Sequence, residues 1–215
     1  MDPLALIFAS ANGDLTAVRS LLQAGADVHA RHPPGQATAL LAAAVYGHTA
    51  VARELLRAGA RVEDKTIHGQ TALYKASLGG HVDVVRVLLA AGASAHTRDE
   101  TQRTPLYAAA SKGHAAVVRV LVHEGGARVD DTDVSGFRAL QIACLEGHVE
   151  AARALVAARA DVHARTKQQL TPLHSVAMAG QVAVIRLLVH HAGARLEDKD
   201  WEGKTANGVV ASTPR

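Results

Sequence analysis

Apolar and polar positions in this chain come in blocks. In HVDVVRVLLAAG (81–92) the apolar Val82, Val85, Leu88 and Leu89 fall at helical spacing on one face, and the segment closes at Gly92. The preceding TALYKASLGG (71–80) opens on Thr71, whose hydroxyl can accept a hydrogen bond from an unpaired first-turn amide, and ends on glycines suited to a left-handed helix stop. The segment that follows, ASAHTRDETQR (93–103), is polar and turn-prone. The pattern predicts two short helices and a projecting loop. Helices of about ten residues are marginal in isolation, so each must bury its apolar face on a neighbour.

The same block recurs along the chain. Gly13, Gly47, Gly80, Gly113, Gly147 and Gly180 are separated by 34, 33, 33, 34 and 33 residues. Leu21, Leu55, Leu88, Leu121, Leu155 and Leu188 repeat that series of gaps, as do Leu6, Leu40, Leu73, Leu106, Leu140 and Leu173. Three columns in step, sharing the same one-residue insertions, establish an internal repeat. A further column, Ala43, Ala76, Ala109 and Ala143, puts small side chains where adjacent helix layers must approach closely.

The runs TPLHSVAMAGQVAVIRLLVHHAGARLE (171–197), TPLYAAASKGHAAVVRVLV (104–122) and TALYKASLGGHVDVVRVLLAAGA (71–93) resemble ankyrin repeats. The resemblance implies an all-α solenoid of stacked helix-turn-helix units with β-hairpin-like finger loops, forming a single domain over 1–215. Six full repeats are expected, approximately 4–37, 38–70, 71–103, 104–137, 138–170 and 171–204, with a partial capping repeat over 205–215. Departures mark weak points. Arg138 stands where the capping Thr belongs and Arg159 where the Gly of AGA belongs, so repeat five is expected to lose a cap and to be the weakest layer. Extra residues at Pro33 and Pro34, at Gly125 and Gly126, and around Ala192 and Gly193 are assigned to loops, where insertion costs little. Leu4 and Ala5 at the start, and Asn207 at a core leucine position, read as the two caps.

Composition agrees with thin layers. Hydrophobic residues make up 48% of the chain but aromatics only 3%, too few to close a wide globular interior. The formal net charge is +3, too small to point to a nucleic-acid or membrane-surface binder, and within most loops the charges cancel. A local basic patch, Arg159, Arg165 and Lys167 against Asp161, could meet an acidic partner segment. The single Cys144 excludes an intramolecular disulfide and suits a reducing compartment. The beginning, MDPLALIFASANGD, lacks the basic residues of a secretory leader. No apolar run approaches the roughly 18–20 residues that span a bilayer. The protein is therefore expected to be soluble and intracellular, cytoplasmic and/or nuclear.

Thirteen histidines invite a metal or acid–base reading, and the repeat removes it. His48, His81, His114 and His148 follow the inter-helix glycine in successive units, where the ankyrin pattern carries a structural histidine. His29, His96 and His163 share a finger position, and His174 belongs to TPLH. Neighbours in a column are separated by a helix-packing distance of about 10 Å, too far to share a zinc ion. His190 and His191 diverge on a helix, and HEGGA at His123 lacks the second histidine of HExxH. Phosphate-binding and nucleophile-elbow motifs are missing. Cys144 falls in a column of small residues and reads as a packed, inert thiol. Carboxylate runs such as Asp130, Asp131 and Asp133, or Glu197, Asp198 and Asp200, lack calcium-loop spacing. No catalytic residue, cofactor, metal or nucleic-acid partner is expected.

The resemblance implies that partners bind the exposed side of the first helices and the finger tips, the concave face. Carried onto this sequence, those positions include Tyr46, Leu78, Lys112, Leu145, Glu146 and Met178 on the helices. On the fingers they include Ile67, His68, Glu100, Arg103, Val134, Phe137, Lys167, Leu170 and Trp201. Ile67, Leu78, Val134, Phe137, Leu145 and Leu170 are expected to form a continuous apolar strip across repeats three to six. The expected function is a non-enzymatic, monomeric scaffold or adaptor that binds another protein; the alternative is a subunit that docks on an enzyme and regulates it. The register itself is testable: Leu88→Ala should cost about 2–5 kcal/mol, read as a fall in Tm, and an unchanged Tm would contradict the proposed columns.

Overall fold

The computed structural model describes residues 4–200 and 202–206. Six helix pairs follow one another along the chain. They are α1 (Ala5–Ala11) and α2 (Leu15–Gln23), α3 (Ala39–Tyr46) and α4 (Thr49–Arg57), and α5 (Ala72–Gly79) and α6 (Val82–Ala90). Then come α7 (Pro105–Ser111) and α8 (Ala115–His123), α9 (Ala139–Leu145) and α10 (Val149–Ala157), and α11 (Pro172–Ala179) and α12 (Val182–Arg186). Each first helix packs on the first helices before and after it, and each second helix does the same, giving two rows. Strand structure among the described residues is limited to isolated bridges, His32–Ala37, Thr132–Arg138 and Lys199–Thr205, at the bases of fingers.

The predicted columns are the core. Leu6, Leu40, Leu73, Leu106, Leu140 and Leu173 are buried along the first row, and Leu55, Leu88, Leu121, Leu155 and Leu188 along the second. Leu21 is only half-buried, because α2 has a neighbouring second helix on one side alone. Ala43, Ala76, Ala109 and Ala143 are fully enclosed between layers. Thr38, Thr71 and Thr104 cap α3, α5 and α7, each hydroxyl accepting from the amide three residues on.

The glycine column does two things at once. Gly13, Gly47, Gly80 and Gly113 all have positive φ, near +75°. A Cβ at any of them would also lie 2.5–2.7 Å from the imidazole of the next repeat's His48, His81, His114 or His148. Each of these rings donates from Nε2 to a last-turn carbonyl of the preceding repeat, on Ala11, Val45, Leu78 and Ser111 at 2.9–3.2 Å. At the fifth junction Gln181 takes the place of the histidine over Gly147.

Repeat five loses the threonine cap at Arg138, as expected, and no side chain there accepts from the first-turn amide. The fully buried Gln141 satisfies a different group: its Oε1 accepts from the amide of Arg138 itself at 3.0 Å. Its amide nitrogen donates to the Ala164 and Leu170 carbonyls at 3.2 and 2.8 Å, tying helix to finger. His174 does the same one layer on, with Nδ1 against Thr171 and Nε2 donating to the Lys204 carbonyl. Backbone strain falls at Arg159, as its place in the glycine column predicts: it keeps the left-handed φ of +63° that glycine would adopt freely. The insertion around Ala192 is relocated: α12 continues as a π-helix over Leu187–His191, so the extra residue widens the last helical turns. Asn207 lies outside the described residues.

Two substitutions follow. Gly80→Ala and Gly92→Ala both force alanine into the left-handed region, at about 1–2 kcal/mol each, but only the former drives a Cβ into a neighbouring ring. Gly80→Ala should therefore lower Tm clearly more than Gly92→Ala; equal losses would mean that the His114 contact carries no constraint. Arg159→Gly should stabilise by about 0.5–1 kcal/mol, the relief of backbone strain less the added entropy of an unfolded glycine, measured as a shift in the urea midpoint.

Candidate functional site

The finger tips are built by one local device. Asp99, Asp133 and Asp200 each accept, through Oδ1, the amides two and four residues ahead at 2.9 Å, which closes the tip turn. Thr66 and Thr166 do so more weakly with the amides of Gln70 and Leu170. Burial alone would raise the Asp99 carboxyl, but hydrogen bonds from Thr101 and the Arg103 amide hold it below its ordinary value. Successive tips are then joined through the backbone. The amides of Ile67, Glu100, Val134 and Lys167 donate to the carbonyls of Gly35, His68, Thr101 and Ser135 at 3.1–3.3 Å. These equivalent positions all belong to the predicted binding set, so their side chains stand on a fixed rail.

The finger bases follow a period of two repeats that single-repeat columns conceal. ADVHAR (26–31), ASAHTR (93–98) and ADVHAR (160–165) alternate with ARVEDK (60–65), ARVDDT (127–132) and ARLEDK (194–199). In the odd fingers the closing arginine reaches forward. Arg31 pairs with Asp64 at 2.6 Å, Arg98 with Asp131 at 2.8 Å and Arg165 with Asp198 at 3.4 Å. Each also donates to the next carbonyl, of Lys65, Thr132 or Lys199. In the even fingers Glu63 and Asp130 accept the amides of Ser94 and Asp161. Exposed ion pairs contribute little energy, about 0–1 kcal/mol each, so the alternation sets register more than stability. It also accounts for Arg165, which the sequence places in a basic patch and which is spent on this ladder.

The predicted contact residues divide by exposure. Tyr46, Ile67, His68, Glu100, Lys112, Val134, Glu146, Lys167 and Met178 are exposed, whereas Leu78, Arg103, Phe137, Leu145 and Leu170 are half-buried. Trp201 lies outside the described residues. Arg103 is braced from below, its guanidinium 5.3 Å over the Tyr107 ring and its Nε 4.0 Å from Asp133. Burial, followed by the nearby carboxylates of Asp99 and Asp133, pushes the Tyr74 and Tyr107 phenols up to about 12. His68 lies 3.7 Å from Glu100 across the tips.

The exposed apolar surface thus gathers nearer the amino-terminal end than the expected strip over repeats three to six. A groove of about 590 Å³ runs between the first helices and the fingers of repeats one to three, lined by Phe8, Val45, Tyr46 and Ile67 among others. Phe8 is 53% exposed, Tyr46 60% and Ile67 48%, large fractions for such side chains. Phe8 meets His32 edge-on at 5.9 Å between ring centres. Sequence reasoning missed Phe8 and Lys75, which occupy equivalent positions on α1 and α5 with Ala42 between them on α3. The signal was present: the column Phe8, Ala42, Lys75, Ala108, Ile142, Ser175 has no common packing chemistry.

Other features are structural. Burial pushes the Cys144 thiol up to about 12, so it is neither a nucleophile nor a ready metal ligand at neutral pH. Among the described residues no three His, Cys, Asp or Glu side chains gather as a metal site, and no helix is long and apolar enough to cross a membrane. A depression of about 530 Å³ on the second-helix row is rimmed by Arg53, Arg57 and Arg86, of which Arg57 and Arg86 pair with Glu54 and Glu124.

Comparison with known proteins supports the architecture. The family profile for ankyrin repeats in three copies matches residues 6–99 and 88–166, and the single ankyrin repeat profile matches 168–201. No curated protein sequence matches significantly. Among solved structures, the crystal structure of the human ASB11 ankyrin repeat domain is similar, with a TM-score of 0.88 and 31% identity over 96% of this chain and 91% of that one. The leucine columns, the glycine–histidine junctions, the paired helix rows and these matches together place the chain in the ankyrin repeat family.

Proposed function

We propose that this chain is a non-enzymatic recognition scaffold, an adaptor that holds a partner protein on the face formed by its first helices and finger tips. One observation carries the reading. Of the eight large apolar side chains that stand exposed among the described residues, six are on that face: Phe8, Val45, Tyr46, Ile67, Val134 and Met178. Side chains with no packing duty and a clear energetic cost in water are what a binding surface retains. Their mounting supports the same conclusion. Tips bonded to one another through the backbone, and helices locked layer to layer, leave little to order on binding, so a few aromatic and aliphatic anchors can supply the affinity. Ankyrin repeats in general mediate protein–protein interaction, and the exposed apolar face favours the adaptor role.

Immobilised protein should capture its partner from cell extract. Tyr46→Ala with Ile67→Ala, and separately Phe137→Ala with Leu145→Ala, should each reduce the yield tenfold or more while helical circular dichroism is retained. Val182→Ala, which removes an exposed apolar side chain on the second-helix row, should leave it unchanged. Equal yields from all variants would overturn the assignment of the face. Activity assays on the captured complex separate an adaptor, which leaves its partner's turnover unchanged, from a regulatory subunit, which alters it.

A further inference from the structure

The groove of repeats one to three is asymmetric in charge as well as apolar. Its lining includes Lys75, His32 and His68 but no aspartate or glutamate. Lys75 is half-buried on α5, and among the described residues no carboxylate pairs with its ammonium. Burial sets it apart: the other described lysines and arginines without an acidic partner within 4.0 Å, such as Arg53, Lys65, Lys112 and Lys167, are all exposed. Burial also lowers the Lys75 pKa, as expected of a cation partly removed from water without compensation. At one end of the groove, then, stands an unpaired cation, and beside it an open apolar bed of Phe8, Tyr46 and Ile67.

Resting on the proposed binding face, we infer that this groove seats an extended peptide segment of the partner in which an acidic side chain pairs with Lys75 and an apolar or aromatic side chain lies among Phe8, Tyr46 and Ile67. The spacing follows from the layers. Adjacent helices stand about 10 Å apart, and an extended chain covers about 3.3 Å per residue, so an anchor at Tyr46 or Ile67, one layer from Lys75, should lie about three positions from the acid, and one at Phe8, two layers away, about six. A carboxylate brought to Lys75 supplies the missing counter-charge in a partly desolvated site, where such a pair gains more than at an open surface.

A phage-displayed random dodecapeptide library selected on the full chain tests this. The expected consensus pairs an aromatic or large aliphatic residue with Asp or Glu about three positions away, or about six where the apolar residue reaches Phe8. A fluorescent peptide of that consensus should bind Lys75→Met at least tenfold more weakly, and Tyr46→Ala and Ile67→Ala likewise, but Val182→Ala equally well. Lys75→Glu should reject it and accept the same peptide with its acid replaced by lysine, a charge-swap rescue that a merely structural lysine would not give. A consensus without an acid, binding indifferent to Lys75, or no selected peptide overturns the inference. Peptides that depend on Val134, Leu145 or Met178 would overturn it while leaving the binding face intact. Partner capture indifferent to every variant on that face would remove the face itself.

Discussion

A bare α-carbon beneath a neighbour's ring is the contact on which the rest of this protein depends. Helices of seven to nine residues do not persist in water, so every pair must lie against the next at a separation that excludes it. Gly13, Gly47, Gly80 and Gly113 set that separation, since the next histidine occupies the space where a Cβ would be. The same ring repairs a defect of short helices. A helix of two turns has nearly as many unpaired end carbonyls as internal bonds, and the donated Nε2 hydrogen bond satisfies one at each of the first four junctions. Close approach then dictates what lies between layers: alanine in one column, leucine in the next, and few aromatic rings.

From that spacing follows the stiffness of the fingers. With layers fixed, each tip stands close enough for its amide to reach the carbonyl of the tip before it, and the row of loops becomes a hydrogen-bonded rail. The arginine–aspartate pairs act on the same rail at its base, joining repeats one to two, three to four and five to six. Between those couples the link is a carboxylate on a backbone amide. The fingers therefore alternate between two kinds of junction although the helices do not.

Features that repeat with every layer were legible in the sequence: the leucine and glycine columns, the histidines as structural, the helix pairs and their boundaries. Features arising from compensation were not. The lost cap at Arg138 was legible, but the tie made by Gln141 was not, because its column is otherwise filled by Ile7, Leu41, Tyr74, Tyr107 and His174. The extra residue near Ala192 reads as a loop insertion because periodicity counts residues without saying whether a helix can absorb one. The two-repeat finger pattern was hidden by comparing single repeats. Exposure was the least legible property. Leu145 is half-buried although it shares a position with the exposed Val45 and Met178, whereas Phe137 and Leu170 share a position that is half-buried in Ala37, Gln70 and Arg103 too.

The groove at the amino-terminal end shows why such departures carry information. Phe8 sits in the row of first-helix positions that line the groove, largely exposed while its neighbours Leu6 and Ile7 are buried in the stack. Lys75 belongs to the same column, which accepts alanine, isoleucine or serine in other layers. Packing requires neither an apolar ring at one of these positions nor a half-buried cation at the other, and finding both around one cavity is what supports the proposed peptide site. A solenoid makes this argument sharper than a globular domain can, because each position has five counterparts that report what stacking alone demands.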